Sequence, residues 1–170
     1  MKYPEISLVE LKYFSGSGDY DKIWSEYHFG KSRTSGFNFY AITWGINWFF
    51  YRKMYAYGLL SLVIEIALIK ILVEATEILF QSAWVFLDKP HRLAVFLPVF
   101  CLWKILLGYS ANILYYKRAL KSILPLSDLN ISNEAYLASL SAAGGVSISA
   151  VFAIQIFLFL FLMWNANHRF

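Results

Sequence analysis

The sequence has little of the chemistry on which soluble domains and metalloproteins depend. One residue in 170 is a cysteine, which excludes a disulfide scaffold and a cysteine-based zinc site. Charged residues make up 15% of the chain, against about 25% in an average soluble protein. So few charges could not cover the water-exposed surface of a small domain. The hydrophobic share of 59% also excludes a disordered chain, which leaves an integral membrane protein embedded in the lipid bilayer.

Catalytic and metal-ligating patterns are missing as well. None of the three histidines has a second ligand or a nucleophile at a matching spacing: His28, His91 and His168. We therefore assign no catalytic residue, no metal site and no cofactor. Only a lipid or metal bound near His91 and His168 would favour a membrane enzyme. The net charge of +4 does not indicate a nucleic-acid partner, because membrane proteins keep lysine and arginine at their cytoplasmic ends.

Three stretches are long and apolar enough to cross about 30 Å of hydrocarbon at about 1.5 Å per residue. They cover residues 55–73, 93–116 and 145–164. Residues 37–51 are also apolar, but they are fewer and rich in aromatic rings, which prefer the headgroup region. The aromatic residues expected at the interface are Phe37, Trp44, Trp48, Tyr51 and Trp164.

The positions of the basic residues decide whether residues 37–51 cross. If they do not, ten basic residues fall inside and three outside; if they do, the numbers become eight and five. The positive-inside rule favours the first arrangement. We predict an all-α integral membrane protein with three transmembrane helices, a short interfacial or re-entrant aromatic helix over residues 37–51, and a cytoplasmic N-terminus. The alternative is a four-helix membrane bundle.

Residues 1–36 carry equal numbers of acidic and basic side chains and form a predicted cytoplasmic tail, separate from a helical membrane domain at residues 37–170. Within the tail, four apolar residues at helical spacing predict a short amphipathic helix: Tyr20, Ile23, Trp24 and Tyr27. Ser17 or Asp19 would lie near its start. This helix could lie on the bilayer, contact a partner, or pack on the protein's own loops.

Ionisable groups at bilayer depth are costly to bury alone and are usually paired or functional. Glu65 and Lys104 lie near the middle of adjacent antiparallel spans, so we expect them to form an ion pair. The pair could belong to a proton or ion path, or it could fix how two helices dock. Asn112 and Gln155 could extend this polar cluster through hydrogen bonds between helices.

The last span carries a pattern of small residues that permits close helix packing. They recur every four residues: Ser141, Gly145, Ser149 and Ala153. The partner of this face could be Gly108 and Asn112 of the preceding span, or another protomer.

Three blocks of residues together resemble one known family. The first comprises Phe37-Asn38-Phe39-Tyr40-Ala41-Ile42, Gly45, Trp48 and Tyr51-Arg52-Lys53-Met54-Tyr55; the second runs from Gly108 through Asn112 to Tyr115-Tyr116-Lys117; the third runs from Leu137 through Gly144-Gly145-Val146-Ser147. These blocks are similar to those of the small bacterial membrane proteins called domain of unknown function twenty-six twenty-eight, over about residues 36–165. This chain has Ile46 where the family often has proline. The resemblance implies a helical inner-membrane protein and no established reaction.

From these features we expect a non-enzymatic accessory or anchoring subunit, multi-pass in the bacterial inner (cytoplasmic) membrane. It would pack against other membrane protein subunits, associate with itself, or recruit a cytoplasmic protein partner. The alternative function is a homo-oligomer that conducts ions or perturbs the membrane. In that case Glu65, Lys104 and Asn112 would line a polar path.

Overall fold

The computed structural model describes residues 6–16, 20–31, 35–79, 89–127 and 132–167. Within these ranges the chain is helical and has no strand, as predicted. The helices are α1 Leu8–Ser15, α2 Tyr20–His28, α3 Phe39–Trp44, α4 Ile46–Tyr51, α5 Tyr55–Leu79, α6 Lys89–Ser127, α7 Asn133–Ala143 and α8 Ile148–Asn167.

Three of these helical stretches are long and apolar enough to cross a membrane, which confirms the predicted number of spans. They contain α5, α6 and α8, and most of their side chains point away from the rest of the protein. At 39 residues α6 is about 58 Å long, so it extends well beyond the predicted span at residues 93–116. It therefore links the apolar region to a cluster of helices at its C-terminal end.

Residues 37–51 do not form a spanning helix. They form α3 and α4, each of six residues and therefore about 9 Å long, separated by Gly45 with φ 52° and ψ −124°. Neither is long enough to cross a hydrocarbon layer of about 30 Å. The alternative of a four-helix membrane bundle is therefore wrong.

A compact cluster of α1, α2, α7 and residues 115–127 of α6 forms what we call the head. Its largest buried side chains are less than 2% exposed: Leu11, Phe14, Trp24, Tyr115, Ile123 and Leu140. Trp24 packs against Tyr115 with ring centroids 5.2 Å apart. The predicted amphipathic helix is thus α2, packed on the protein itself, while its proposed starts at Ser17 and Asp19 lie outside the described residues.

The predicted separation between a tail at residues 1–36 and a membrane domain is not found in the described residues. Leu11 and Trp24 share one hydrophobic core with Trp48 and Tyr115. Sequence reasoning treated the balanced charge of the tail as a sign of a solvated segment, but its apolar residues are spaced to cover the end of α6. The N-terminal helices are therefore a structural part of the fold.

Helix α1 begins with a capping box that the sequence analysis missed. The Ser7 hydroxyl accepts a hydrogen bond from the Glu10 amide, and the Glu10 carboxylate accepts one from the Ser7 amide at 2.6 Å. The same carboxylate accepts a hydrogen bond from the Tyr136 hydroxyl of α7. Burial raises the pKa of Glu10, but these hydrogen bonds outweigh it and hold the pKa below its ordinary value. The ionised side chain therefore joins α1 to α7 at neutral pH, and this contribution is lost as the pH falls through the lowered pKa.

Candidate functional site

The chain between the head and the first span folds into a helical hairpin, defined here as residues 35–54. Its first arm runs along α6. The Asn38 amide donates to the Gly108 carbonyl at 2.9 Å, and the Asn38 side chain donates to Asn112 Oδ1 at 2.7 Å. Asn112 in turn donates to the Ser35 carbonyl at 3.1 Å. The first arm is thus fixed to one face of α6 by polar contacts.

The second arm returns towards the head. The Trp48 ring lies 6.0 Å from that of Tyr115, and the Arg118 guanidinium donates to the Arg52 carbonyl. Both partners belong to the part of α6 within the head. The chain therefore runs along α6 as far as Lys104 and returns on the same side of that helix. Residues 37–51 thus fold as a hairpin of two short helices, and the interfacial and re-entrant forms of this segment both stay predictions.

The tip of the hairpin lies beside an ion pair. Lys104 Nζ and Glu65 Oε1 are 2.6 Å apart, with side chains 18% and 14% exposed, and Trp103 Nε1 donates to the same oxygen at 3.2 Å. A Cβ at Gly45 would lie only 2.6 Å from Lys104 Nζ. Lys104 precedes Tyr115 by eleven residues on α6, which places the tip about 16 Å from where the hairpin returns.

The predicted contact between Glu65 and Lys104 is therefore present, but the expected larger cluster is wrong. Asn112 bonds to the first arm of the hairpin, and Gln155 Nε2 donates to Asn47 Oδ1 at 2.6 Å. The prediction paired polar groups between long helices and overlooked the amides Asn38 and Asn47 of the short ones. Asn112 of α6 thus holds the first arm of the hairpin, and Gln155 of α8 holds the second.

The glycine at the tip gives a direct test of this arrangement. Gly45 has φ 52° and Gly30 has φ 69°, so alanine at either position costs about 1–3 kcal/mol of backbone strain. Only at Gly45 would the new methyl group also displace Lys104, because nothing lies within 4 Å of a Cβ at Gly30. We expect Gly45→Ala to lower the free energy of unfolding in detergent micelles clearly more than Gly30→Ala does. Equal losses of unfolding free energy in the two variants would show that Lys104 does not need the space left open at Gly45.

The predicted packing face of small residues is not formed. The helix breaks between Gly144 and Ser147, so Ser141 belongs to α7 while Ser149 and Ala153 belong to α8, and all three are exposed. Gly145, with φ 63°, lies in the break. Residues spaced four apart lie on one face only if the helix is uninterrupted. Here two consecutive glycines, Gly144 and Gly145, end the helix after Ala143.

The predicted partner of that face lies elsewhere. Gly108 faces the hairpin, where a Cβ would come within 2.7 Å of the Ile42 side chain. Its close approach is therefore to the first arm and not to the last span. Asn112 lies on the same side of α6, with its bonds directed to Asn38 and the Ser35 carbonyl.

The interfacial aromatic residues divide into two groups. Phe37, Trp44 and Trp164 are exposed, and Tyr51 is half-buried. Trp48 is only 2% exposed and lies in the core, so its prediction as an interfacial residue is wrong. Its ring faces the head because the return of the second arm brings it against α6.

Sequence reasoning missed the two arginines that organise the head end of the hairpin. Arg52 is 6% exposed, and its Nη1 donates to the Ser15 carbonyl at 3.0 Å. Arg118 donates to the carbonyls of Arg52 and Ala143. Both were counted only as basic residues on the cytoplasmic side, and no local pattern distinguishes a buried arginine from a solvated one. The role of Asn38 as a helix N-cap could have been predicted from the sequence, because an asparagine directly before an apolar run is typical of a helix start.

No group of three or more His, Cys, Asp or Glu side chains within the described residues is arranged to hold a metal ion. His168 and the side chain of His91 lie outside the described part of the structure. The Glu65 carboxylate, beside the hairpin tip, accepts hydrogen bonds from the Lys104 ammonium and from the Trp103 indole N–H. The arrangement provides a charge-neutral polar contact within an otherwise apolar region.

The family comparison covers a longer part of the chain than the hairpin. A family model described as "Protein of unknown function (DUF2628)" matches residues 19–121, from the start of α2 to the head end of α6. No curated protein and no solved structure matches the chain. The matched range contains both arms of the hairpin, Glu65 and Lys104.

Proposed function

The chain belongs to the family of proteins of unknown function DUF2628, and because that description states no activity, we propose a function from the geometry alone. The protein is a non-enzymatic accessory or anchoring subunit of a bacterial inner membrane. It packs against other membrane subunits or a second copy of itself, with the head in the cytoplasm, where it can also recruit a soluble partner.

The observation that carries this proposal is how little of the last span is covered by the chain itself. Helix α8 packs on α4, and its apolar side chains beyond the first turns point outwards, with Phe152 64% exposed and Leu162 63% exposed. Helix α5 likewise packs on α4, and α6 on α3. Apart from the contacts of Glu65 with Lys104 and Trp103, the spans are joined mainly through the hairpin. Long helix faces therefore stay open for other membrane helices.

The exposed surface of α8 includes two small residues one turn apart, Ser149 and Ala153. In lipid, helix association depends on close packing and small side chains, because lipid tails are as apolar as leucine. The exposed basic residues near the head, Lys117 and Lys121, support a cytoplasmic head by the positive-inside rule. The packed N-terminal helices give the head a defined surface for a soluble partner.

Purification from native membranes in a mild detergent tests the proposal. We expect the wild-type chain to elute with a second subunit or as an oligomer by light scattering. Replacing Ser149 and Ala153 together by isoleucine should release a folded monomer, whereas Phe159→Leu on the same exposed helix should not. A wild-type chain that elutes alone as a monomer would overturn the proposal.

One observation favours a second candidate, a homo-oligomer that conducts ions. The tip of the hairpin lies beside the Glu65–Lys104 pair, and irregular backbone at membrane depth is tolerated where it is buried in protein or lines a water-filled cavity. Asn112 does not support this path, because it is 2% exposed and bonded to the hairpin. Flux from liposomes should change in Glu65→Gln and Lys104→Met if the candidate is correct, and unchanged flux in both would contradict it.

A further inference from the structure

A cavity of about 450 Å³ lies between α2 and the hairpin, and no residue of α5 is among those that line it. Aromatic rings form most of its wall, and one isoleucine, two amides and one guanidinium group form the rest. Its lining residues are Tyr20, Ile23, Phe37, Asn38, Phe39, Tyr40, Trp44, Trp48, Tyr51, Arg52 and Asn112. Pockets of this volume, mostly apolar with few polar groups, are typical of small-molecule sites.

One group in the cavity wall, the Arg52 guanidinium, is positively charged. Arg52 is held there by several contacts: its Nη1 donates to the Ser15 carbonyl, and its guanidinium carbon lies 4.6 Å from the Tyr20 ring centroid and 5.5 Å from that of Tyr51. These contacts fix a planar group whose geometry suits phosphate oxygens. A cationic ligand is disfavoured, because a resident cation already occupies the faces of the rings.

Part of the cavity wall is aromatic and exposed. Phe39 is 65% exposed, Tyr40 68% and Trp44 52%, and all three belong to α3. Aromatic rings of this kind collect at the level of lipid headgroups. The cavity therefore combines one cation with exposed aromatic rings.

We propose that this cavity binds the headgroup and upper acyl chain of an anionic glycerophospholipid, with the phosphate beside Arg52 and the chain leaving past Tyr40 and Trp44. The volume admits a headgroup but not a whole lipid, which fits the exposed aromatic part of the wall. A zwitterionic headgroup is less suitable, because its ammonium would have to share the site with the guanidinium. The site is distinct from the exposed face of α8 that carries the proposed accessory function, although Tyr20 and Ile23 of its lining belong to the head.

The test is a titration of the purified full chain in a nonionic maltoside with dihexanoyl phosphatidylglycerol below its micellar concentration. Native mass spectrometry should count one bound lipid, and tryptophan fluorescence should change saturably because Trp44 and Trp48 line the cavity. We expect Arg52→Gln to weaken binding about tenfold or more, as loss of a charge-assisted contact of about 1.4 kcal/mol or above would. Lys117→Gln removes the same charge from an exposed position and should bind like the wild type.

A second variant tests the site in case Arg52→Gln, at a buried position, does not fold. Tyr40→Ala changes only an exposed part of the wall and should weaken binding several-fold, whereas Tyr13→Ala on the exposed side of α1 should not. Inorganic phosphate or glycerol phosphate binding as tightly as the lipid would overturn the lipid assignment. Equal affinity for dihexanoyl phosphatidylcholine would overturn the preference for an anionic headgroup, and full binding by both cavity variants would overturn the site.

Discussion

Replacing Gly144 by alanine is expected to destabilise the head more than alanine at any other glycine within the described residues. A Cβ at Gly144 would lie 1.8 Å from the Phe14 carbonyl oxygen and 2.7 Å from its carbon. These are backbone atoms, so no rotamer change can relieve the overlap. The shift would also break the hydrogen bond from the Gly145 amide to the same carbonyl, at 2.7 Å. We expect a loss of about 3 kcal/mol or more.

The measurement is reversible unfolding in mixed micelles, together with limited trypsin cleavage at the exposed Lys12 of α1. Release of α1 should make Lys12 sensitive well below the unfolding midpoint. Ser141→Ala, on the exposed side of α7, is the matched control and should leave both readouts unchanged. If Gly144→Ala unfolds like the control, α1 does not pack against the end of α7 as described.

The second large effect is expected at the ion pair beside the hairpin tip. Lys104→Met leaves the Glu65 carboxylate, 14% exposed, with only the Trp103 indole among its described partners. Removing one member of a buried pair costs about 3–5 kcal/mol, because the other charge stays desolvated. We expect Lys104→Met and Glu65→Gln each to fall in that range. The double variant should cost less than the sum of the two, because neither charge is then left alone.

The exposed pair Lys70 and Glu74 on α5 provides the control for this cycle. Its charged atoms are 3.9 Å apart and its side chains 77% and 60% exposed, so Lys70→Met should change the unfolding free energy by at most about 1 kcal/mol. Additive losses at Glu65 and Lys104 would contradict a direct contact. Losses no larger than that of Lys70→Met would show that water reaches the pair freely.

The sequence predicted the spans and the ion pair for the same physical reason. Hydrophobic length fixes which segments can cross a membrane, and two charges at equal depth on antiparallel helices have few other places to go. The contact between Glu65 and Lys104 could therefore be predicted from their depth in the two spans. The head did not, because the burial of Trp24 and Phe14 depends on contacts between segments about a hundred residues apart along the chain. Spacing within a helix shows its apolar face but not what covers that face.

The packing face predicted across Ser141 and Ser149 shows where periodicity fails. The repeat is real in the sequence, but Gly144 and Gly145 interrupt the helix on which it would lie. Charge counting failed in a similar way at Arg52 and Arg118. The positive-inside rule counts basic residues by side of the membrane and does not register whether they are solvated, so two structural arginines were read only as markers of orientation.

The contacts of Arg118 have a mechanical consequence. One guanidinium holds the carbonyl groups of Arg52, at the end of the hairpin, and Ala143, at the end of α7. The same helix, α6, carries that guanidinium and Lys104, which are fourteen residues or about 21 Å apart along it. The hairpin is therefore fastened to a single helix at its start, through Asn112, and at its end, through Arg118.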